Sequence, residues 1–184
     1  VFGKRMLDIA QLLGADADSI DFKWGTPVTT DEVETQLKKK KYKIVAMVHA
    51  ETSTGVCSPA EEVGKLVKDH GAFFILDTVT SLGGMEVAVD KWHVDAVYSG
   101  TQKCLSCPPG LSPVSFSDRA VDFIMNRSTK VPNWYLDMSM VASYWAGKKR
   151  AYHHTAPINM LYGLYEALMV VLEEGPENVY KRHK

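Results

Sequence analysis

Asp77 closes an apolar run, Ala72–Leu76, and Lys103 stands shortly beyond another, Ala96–Ser99. An acid and an amine so placed, each just past a hydrophobic segment, suit a reaction that needs a fixed anion beside a reactive lysine. Pyridoxal phosphate has that requirement: a lysine amine forms its Schiff base, and an anion keeps its pyridine nitrogen protonated. Burial by itself favours the neutral form of a carboxyl, so the charged ring would be what keeps such an acid ionised. Read singly, Asp77 is equally a helix cap and Lys103 a surface residue; the pair in one frame carries the signal. Hydroxyls and glycines surround both. His49-Ala50-Glu51-Thr52-Ser53-Thr54-Gly55 follows the run Ile44–Val48, Thr78 to Gly84 follows Asp77, and Gly100-Thr101-Gln102 leads into Lys103.

Those positions make sense only on a particular frame. Ile44–Val48 is continuously apolar and rich in β-branched residues, as expected of a strand covered on both faces. Ala72–Leu76, Ala96–Ser99 and Val114–Ser117 read as further strands, and Ser19–Phe22 as a short one. Between them lie helical patterns: Met6 to Leu13 stopping at Gly14, Thr29 to Leu37 opened by a Thr29-x-x-Glu32 capping box, and Ser58 or Pro59 to His70 ended by Gly71. Asp118 to about Asn126 and the apolar Leu161–Glu174, which stops at Gly175-Pro176, complete the set. Lys38–Lys41 reads as a solvated helix end. Strands alternating with helices predict an α/β fold, a mostly parallel sheet covered by helices in three layers. In such sheets ligands sit beyond the carboxyl ends of the strands, where the polar segments fall.

Composition narrows the partners. Lys and Arg number 21 against 22 Asp and Glu, so the basic excess of a nucleic-acid binder is missing. Apolar stretches such as Ala167–Leu172 fall well short of the roughly 18 residues of a membrane helix. Three cysteines cannot all pair in disulfides, which favours a reducing compartment. The chain opens Val1-Phe2-Gly3-Lys4, with no initiator Met and no signal-peptide pattern, and so reads as a piece of a longer protein.

The segments His49–Val56, Asp77–Gly84, Tyr98–Gly110 and Tyr152–Pro157 resemble the alanine–glyoxylate/serine–pyruvate aminotransferases. These are class V, fold-type I pyridoxal-phosphate enzymes, a group that includes 3-hydroxykynurenine transaminases. Ser99-Gly100-Thr101-Gln102-Lys103 followed by Pro108-Pro109-Gly110 is the most specific part, and the similarity runs from Phe2 almost to Lys184. The resemblance implies that Lys103 carries the cofactor and moves the substrate's proton, and that Asp77 pairs with the pyridine nitrogen. It places Val79 under the ring, Thr52 near the phenolic oxygen and Gln102 at the phosphate. It sends Tyr152 and Thr155 to the phosphate of the other subunit of a homodimer. Phe2 falls where the family usually stacks a tryptophan; phenylalanine can stack but lacks the indole N–H. Residues 1–184 then correspond to part of the large, cofactor-binding domain, without the family's upstream phosphate loop or its C-terminal small domain. The implied substrates are small amino and keto acids: alanine or serine giving its amino group to glyoxylate or pyruvate. The implied setting is intracellular, with peroxisome, mitochondrion and cytosol equally compatible.

Other readings are weaker. A desulfurase or lyase of the same cofactor class wants a mobile cysteine opposite the lysine, and Cys104 and Cys107 lie too near Lys103. Cys104-x-x-Cys107 lacks the second pair a zinc site needs, so small fillers beside the lysine loop are expected. Adjacent His153 and His154 would point to different faces of any regular element, a poor geometry for joint ligation. Ser99 and Lys103 are one residue too far apart for the Ser-x-x-Lys hydrolase signature, and there is no Gly-x-Ser-x-Gly elbow. Trp134, Tyr135, Tyr144 and Trp145 read as a dimer surface or as core. A truncated domain that only dimerises is the reading without chemistry.

Overall fold

In the computed structural model the described residues are 1–146 and 151–184. Along the chain run α1 (Phe2–Leu12), α2 (Thr30–Leu37), β1 (Ile44–Val48), β2 (Ala50–Glu51), β3 (Val56–Cys57) and α3 (Ala60–His70). They are followed by β4 (Phe73–Asp77), β5 (Ala96–Tyr98), β6 (Val114–Phe116), α4 (Asp118–Met125), α5 (Met138–Ala146), α6 (Ile158–Glu174) and α7 (Pro176–His183). The main sheet has the order β1-β4-β5-β6. Its first three strands are parallel and β6 runs against β5, so the expected mostly parallel sheet is present.

The pleat of β4 sends Phe74 and Leu76 to one face, where both are fully buried. α3 covers them with a stripe at helical spacing, Ala60, Val63, Gly64 and Val67. Val33 and Leu37 of α2, Met47, Trp92 and Val94 complete that core. Gly71, left-handed at φ 81°, ends α3 and turns the chain into β4. On the other face Phe73 meets Phe123 of α4, ring centroids 5.0 Å apart. Helices therefore flank the sheet on both sides.

Asp95 ties these layers together. Its carboxylate accepts from the Phe74 N–H, the Ser117 hydroxyl and the Arg119 guanidinium. Arg119 also donates to the Ala72 carbonyl and lies 4.5 Å over the Phe73 ring.

Several local expectations need correction. Ser19–Phe22 forms no strand. Side chains hold this region instead, with Asp18 accepting from the Tyr42 hydroxyl and pairing with Lys40, while Ile20 packs on the core. β1 is not covered on both faces along its length: its Ile44 is 52% exposed, and only Met47 is buried. In the predicted capping box the Thr29 hydroxyl donates directly to the Glu32 carboxylate at 2.6 Å, and no side-chain bond caps the helix backbone. The β2–β3 hairpin, α5 and α7 have no counterpart in the sequence reading. α6 is as apolar as expected but buries none of its residues, leaving Tyr162, Tyr165 and Leu172 exposed.

Candidate active site

Because β1, β4 and β5 are parallel neighbours, their carboxyl ends lie along one rim. Asp77 is the last residue of the middle one of these three, in register with Val48 on one side and Tyr98 on the other. Its side chain is only 5% exposed. Oδ1 accepts from the Val79 N–H at 2.9 Å and Oδ2 from the Tyr98 hydroxyl at 2.6 Å. Both donors are neutral, and among the described residues no lysine, arginine or histidine forms a salt bridge with this carboxylate. A buried anion with spare acceptor capacity and no cationic partner suits a positively charged ligand group. Tyr98 was not singled out from sequence. Its signal was there: it ends β5 as Asp77 ends β4, and aligned parallel ends put the two side by side.

The rim is built up by contacts between its loops. The Thr80 hydroxyl donates to the Ala50 carbonyl, which joins the Asp77 loop to the β2–β3 hairpin. That hairpin presents Thr52 to solvent at its turn. Glu51 reaches back to accept from the Phe2 N–H at 3.1 Å, capping the exposed start of α1 from distant sequence. Burial works against its ionisation, but the bonds from Ser53 and the Phe2 N–H prevail and hold its carboxyl below the usual range. The half-buried Phe2, with Arg5 5.0 Å from its ring, is thereby fixed to the same hairpin as Thr52. Just past β1, His49 is buried edge-on to Trp92, centroids 5.2 Å apart, and among the described residues its Nδ1 has no partner. Burial lowers its proton affinity and keeps it neutral.

Lys103 sits in a loop closed at its base. The fully buried Thr101 donates its hydroxyl to the Pro108 carbonyl at 2.8 Å and accepts at its own carbonyl from the Cys107 N–H at 3.0 Å. Within the loop, the Ser106 N–H returns to the Lys103 carbonyl, with Ser106 left-handed at φ 56°. Gly83 and Gly84 let the Asp77 loop press on it: a Cβ on Gly84 would lie 2.7 Å from the Cys104 sulfur, and one on Gly83 2.9 Å from Leu105. The Gln102 side chain folds over Gly100, where a Cβ would meet its amide oxygen at 2.6 Å. Lys103 itself is exposed, and among the described residues its amine makes no hydrogen bond or salt bridge.

Asp77, Val79, Thr52, Gln102 and Lys103 therefore all belong to the loops of one rim, and Phe2 is fastened to it. Tyr152 and Thr155 are joined to each other, hydroxyl to hydroxyl at 2.7 Å, and no hydrogen bond among the described residues ties them to that rim. Tyr152 is 73% exposed.

The two histidines depart from expectation. They lie outside any regular element, so the alternating-face argument does not apply, and their Nδ1 atoms are 2.8 Å apart. The Trp134 carbonyl can only accept, so His153 donates to it from Nε2. His153 is buried against the Trp134 and Tyr135 rings. Trp134, Tyr135 and Trp145 are exposed and not core. The cysteines behave as fillers. Cys107 is buried, and the Cys104 thiol donates to the Thr80 carbonyl while burial pushes its ionisation up. Among the described residues no cluster has metal-binding composition.

Comparison with known proteins gives a consistent result. The family profile Aminotransferase class-V matches residues 5–184. The chain is 38% identical over 201 aligned positions to the (S)-ureidoglycine–glyoxylate transaminase of Bacillus subtilis, covering all of this chain and 48% of that protein. It is 37% identical to the alanine–glyoxylate aminotransferase of Mus musculus, with 100% and 45% covered. Among solved structures, an alanine–glyoxylate aminotransferase from Nostoc sp. superposes with a TM-score of 0.95 at 48% identity, over 100% of this chain and 48% of that one. The chain thus spans about half the length of the relatives it matches.

Proposed function

The chain belongs to the class-V aminotransferases, and from that premise we propose that its parent enzyme uses pyridoxal phosphate to move an amino group from a small amino acid to glyoxylate. The observation that supports this most is Asp77: a buried carboxylate at the end of a parallel strand, without a cationic partner among the described residues. On the next strand's loop stands Lys103, whose amine has no partner among the described residues. Bound at this rim, pyridoxal phosphate supplies a ring that accepts the electron pair left when an amino acid loses its Cα proton.

The residues of the chain do the rest. The Lys103 amine would hold the cofactor and, once released by the substrate, would take up and move the substrate's Cα proton. The closed base of its loop fixes the backbone that carries that amine. Asp77 would pair by charge with the ring nitrogen and favour its protonated form, and the Val79 side chain would pack against the ring. Thr52 offers its hydroxyl near the phenolic oxygen and Phe2 a stacking face. Gln102 binds the phosphate. Tyr152 and Thr155, already paired, serve the phosphate of a partner subunit. The exposed aromatic residues Trp134, Tyr135, Trp145 and Tyr162 support such a dimer. Glyoxylate is the acceptor common to the relatives' names, while alanine, serine and (S)-ureidoglycine are the donors to compare. Neither cysteine beside Lys103 is poised as a desulfurase nucleophile: Cys107 is buried, and burial pushes the ionisation of the Cys104 thiol up.

The test is borohydride reduction of the pyridoxal-phosphate-treated full-length protein, followed by peptide mapping and donor assays with glyoxylate. A pyridoxyl label on Lys103 and glyoxylate-dependent turnover are expected. A label on Lys91 or Lys130, or none at all, overturns the reading.

A further inference from the structure

Tyr98 has a bond that its place in the sheet does not require. Its backbone is satisfied without the side chain: the carbonyl accepts from both the N–H and the hydroxyl of Thr78. The phenol nevertheless reaches sideways to Asp77 Oδ2 at 2.6 Å, the length of a charge-assisted bond from a hydroxyl to a carboxylate. Among the described residues, the only other donor to that carboxylate is the Val79 N–H, on the other oxygen. A carboxylate offers about four acceptor positions, so two remain for a further donor.

We propose that Tyr98 is a positioning residue, whose hydroxyl holds the Asp77 carboxylate charged and fixed so that the proton shared with the cofactor's ring nitrogen stays on the nitrogen. This rests on the pyridoxal-phosphate reading above and adds a second residue to its electron sink. The physical reason is competition for one proton. A ring nitrogen and a buried carboxylate both want it, and a hydrogen bond donated to the carboxylate stabilises the charged form and weakens its claim. Without the phenol, one oxygen of a desolvated anion loses its donor within the protein, and the proton moves toward it. A ring without its proton is a poorer electron acceptor. Tyr98 suits this role because it does not ionise in the working range. Burial, and then the bond to Asp77, push its phenol well above the ordinary tyrosine range, so it donates and never acts as base.

The experiment compares wild type with Tyr98→Phe, which removes one oxygen and keeps the ring. Full-length protein is loaded with ring-15N-labelled pyridoxal phosphate, and the nitrogen resonance is read by NMR. Wild type should show a protonated nitrogen and Tyr98→Phe a resonance moved toward the unprotonated position, with the first half-reaction slowed about tenfold. Identical resonances in the two proteins overturn the inference and leave the cofactor reading intact. Failure of wild type to take up the cofactor overturns both. A second measurement needs no cofactor: Asp77→Asn should bring the Tyr98 phenol into titration at lower pH than in wild type, followed by ultraviolet absorbance against Tyr98→Phe. If Tyr98→Phe does not fold, the reference is the summed tyrosine titration of wild type and Asp77→Asn, and an unchanged curve overturns the pairing.

Discussion

Gly64 of α3 lies directly beneath the carbonyl of Trp92, so close that a Cβ on Gly64 would sit 1.8 Å from that oxygen. Trp92 in turn supports the His49 ring, and the His49 N–H bonds to the Asp77 carbonyl at 2.9 Å. The missing side chain of a helix residue thus backs the candidate site from the far face of the sheet.

Gly64→Ala should therefore be costly. In an exposed helix the change would gain roughly 1 kcal/mol of propensity. Here it forces backbone apart in a buried contact, and overpacking of this kind costs about 3 kcal/mol. Denaturant unfolding should show a clear loss of stability. A midpoint equal to or above wild type would mean that α3 and the Trp92 turn separate freely.

Asp95→Asn should weaken the clip between sheet and α4 by about 2 kcal/mol, less than for a fully buried pair because Arg119 is 46% exposed. Burial opposes ionisation of Asp95, but Arg119, the Phe74 N–H and Ser117 outweigh it and hold the carboxyl below its ordinary value. A depressed native value stabilises the fold above the unfolded carboxyl's pKa, about 3.9, and the contribution fades as pH falls through the native value. Wild-type stability should decline below about pH 4 more steeply than that of Asp95→Asn. Parallel curves would show that Asp95 is not part of the acid response.

Ser106, left-handed at φ 56° and exposed, closes the loop that presents Lys103. Glycine adopts that conformation freely and a β-branched residue does not. Ser106→Gly should match or slightly exceed wild-type stability, and Ser106→Val should fall below the glycine variant by about 2 kcal/mol. Thermal melts of the three proteins decide it, and a valine variant as stable as the glycine one would rule out a constrained loop.

Asp77→Asn should keep much of the cofactor affinity and lose most of the rate, on the order of 10²–10³-fold in single-turnover transamination. An amide still fills the space but cannot hold a proton on the ring nitrogen. A variant within a few-fold of wild type would make Asp77 a structural residue.

How much of this was legible beforehand follows from the range of the interactions. β4 and β5 announce themselves by short apolar runs, and the polar residues after each run follow from the rule that such sheets bind ligands at their carboxyl ends. Asp77 and Lys103 could thus be picked out without coordinates. Ser19–Phe22 was misread because its pattern satisfies a local rule while no strand lies beside it to pair. His153 and His154 were misread for a related reason: the facing rule presumes a regular backbone, and theirs is irregular.

The sequence alone determined the alternation of elements, the rim and the chemical types gathered there, because these depend on hydrophobic period and residue order. Only the tertiary structure decided which groups touch. Strand register set Tyr98 beside Asp77, and a bond spanning 49 positions made Glu51 the cap of α1. Arg119 likewise became the partner of Asp95 across two elements. Hydrogen bonds and ion pairs act over a few ångströms, and packing alone brings residues so far apart in the chain within that distance.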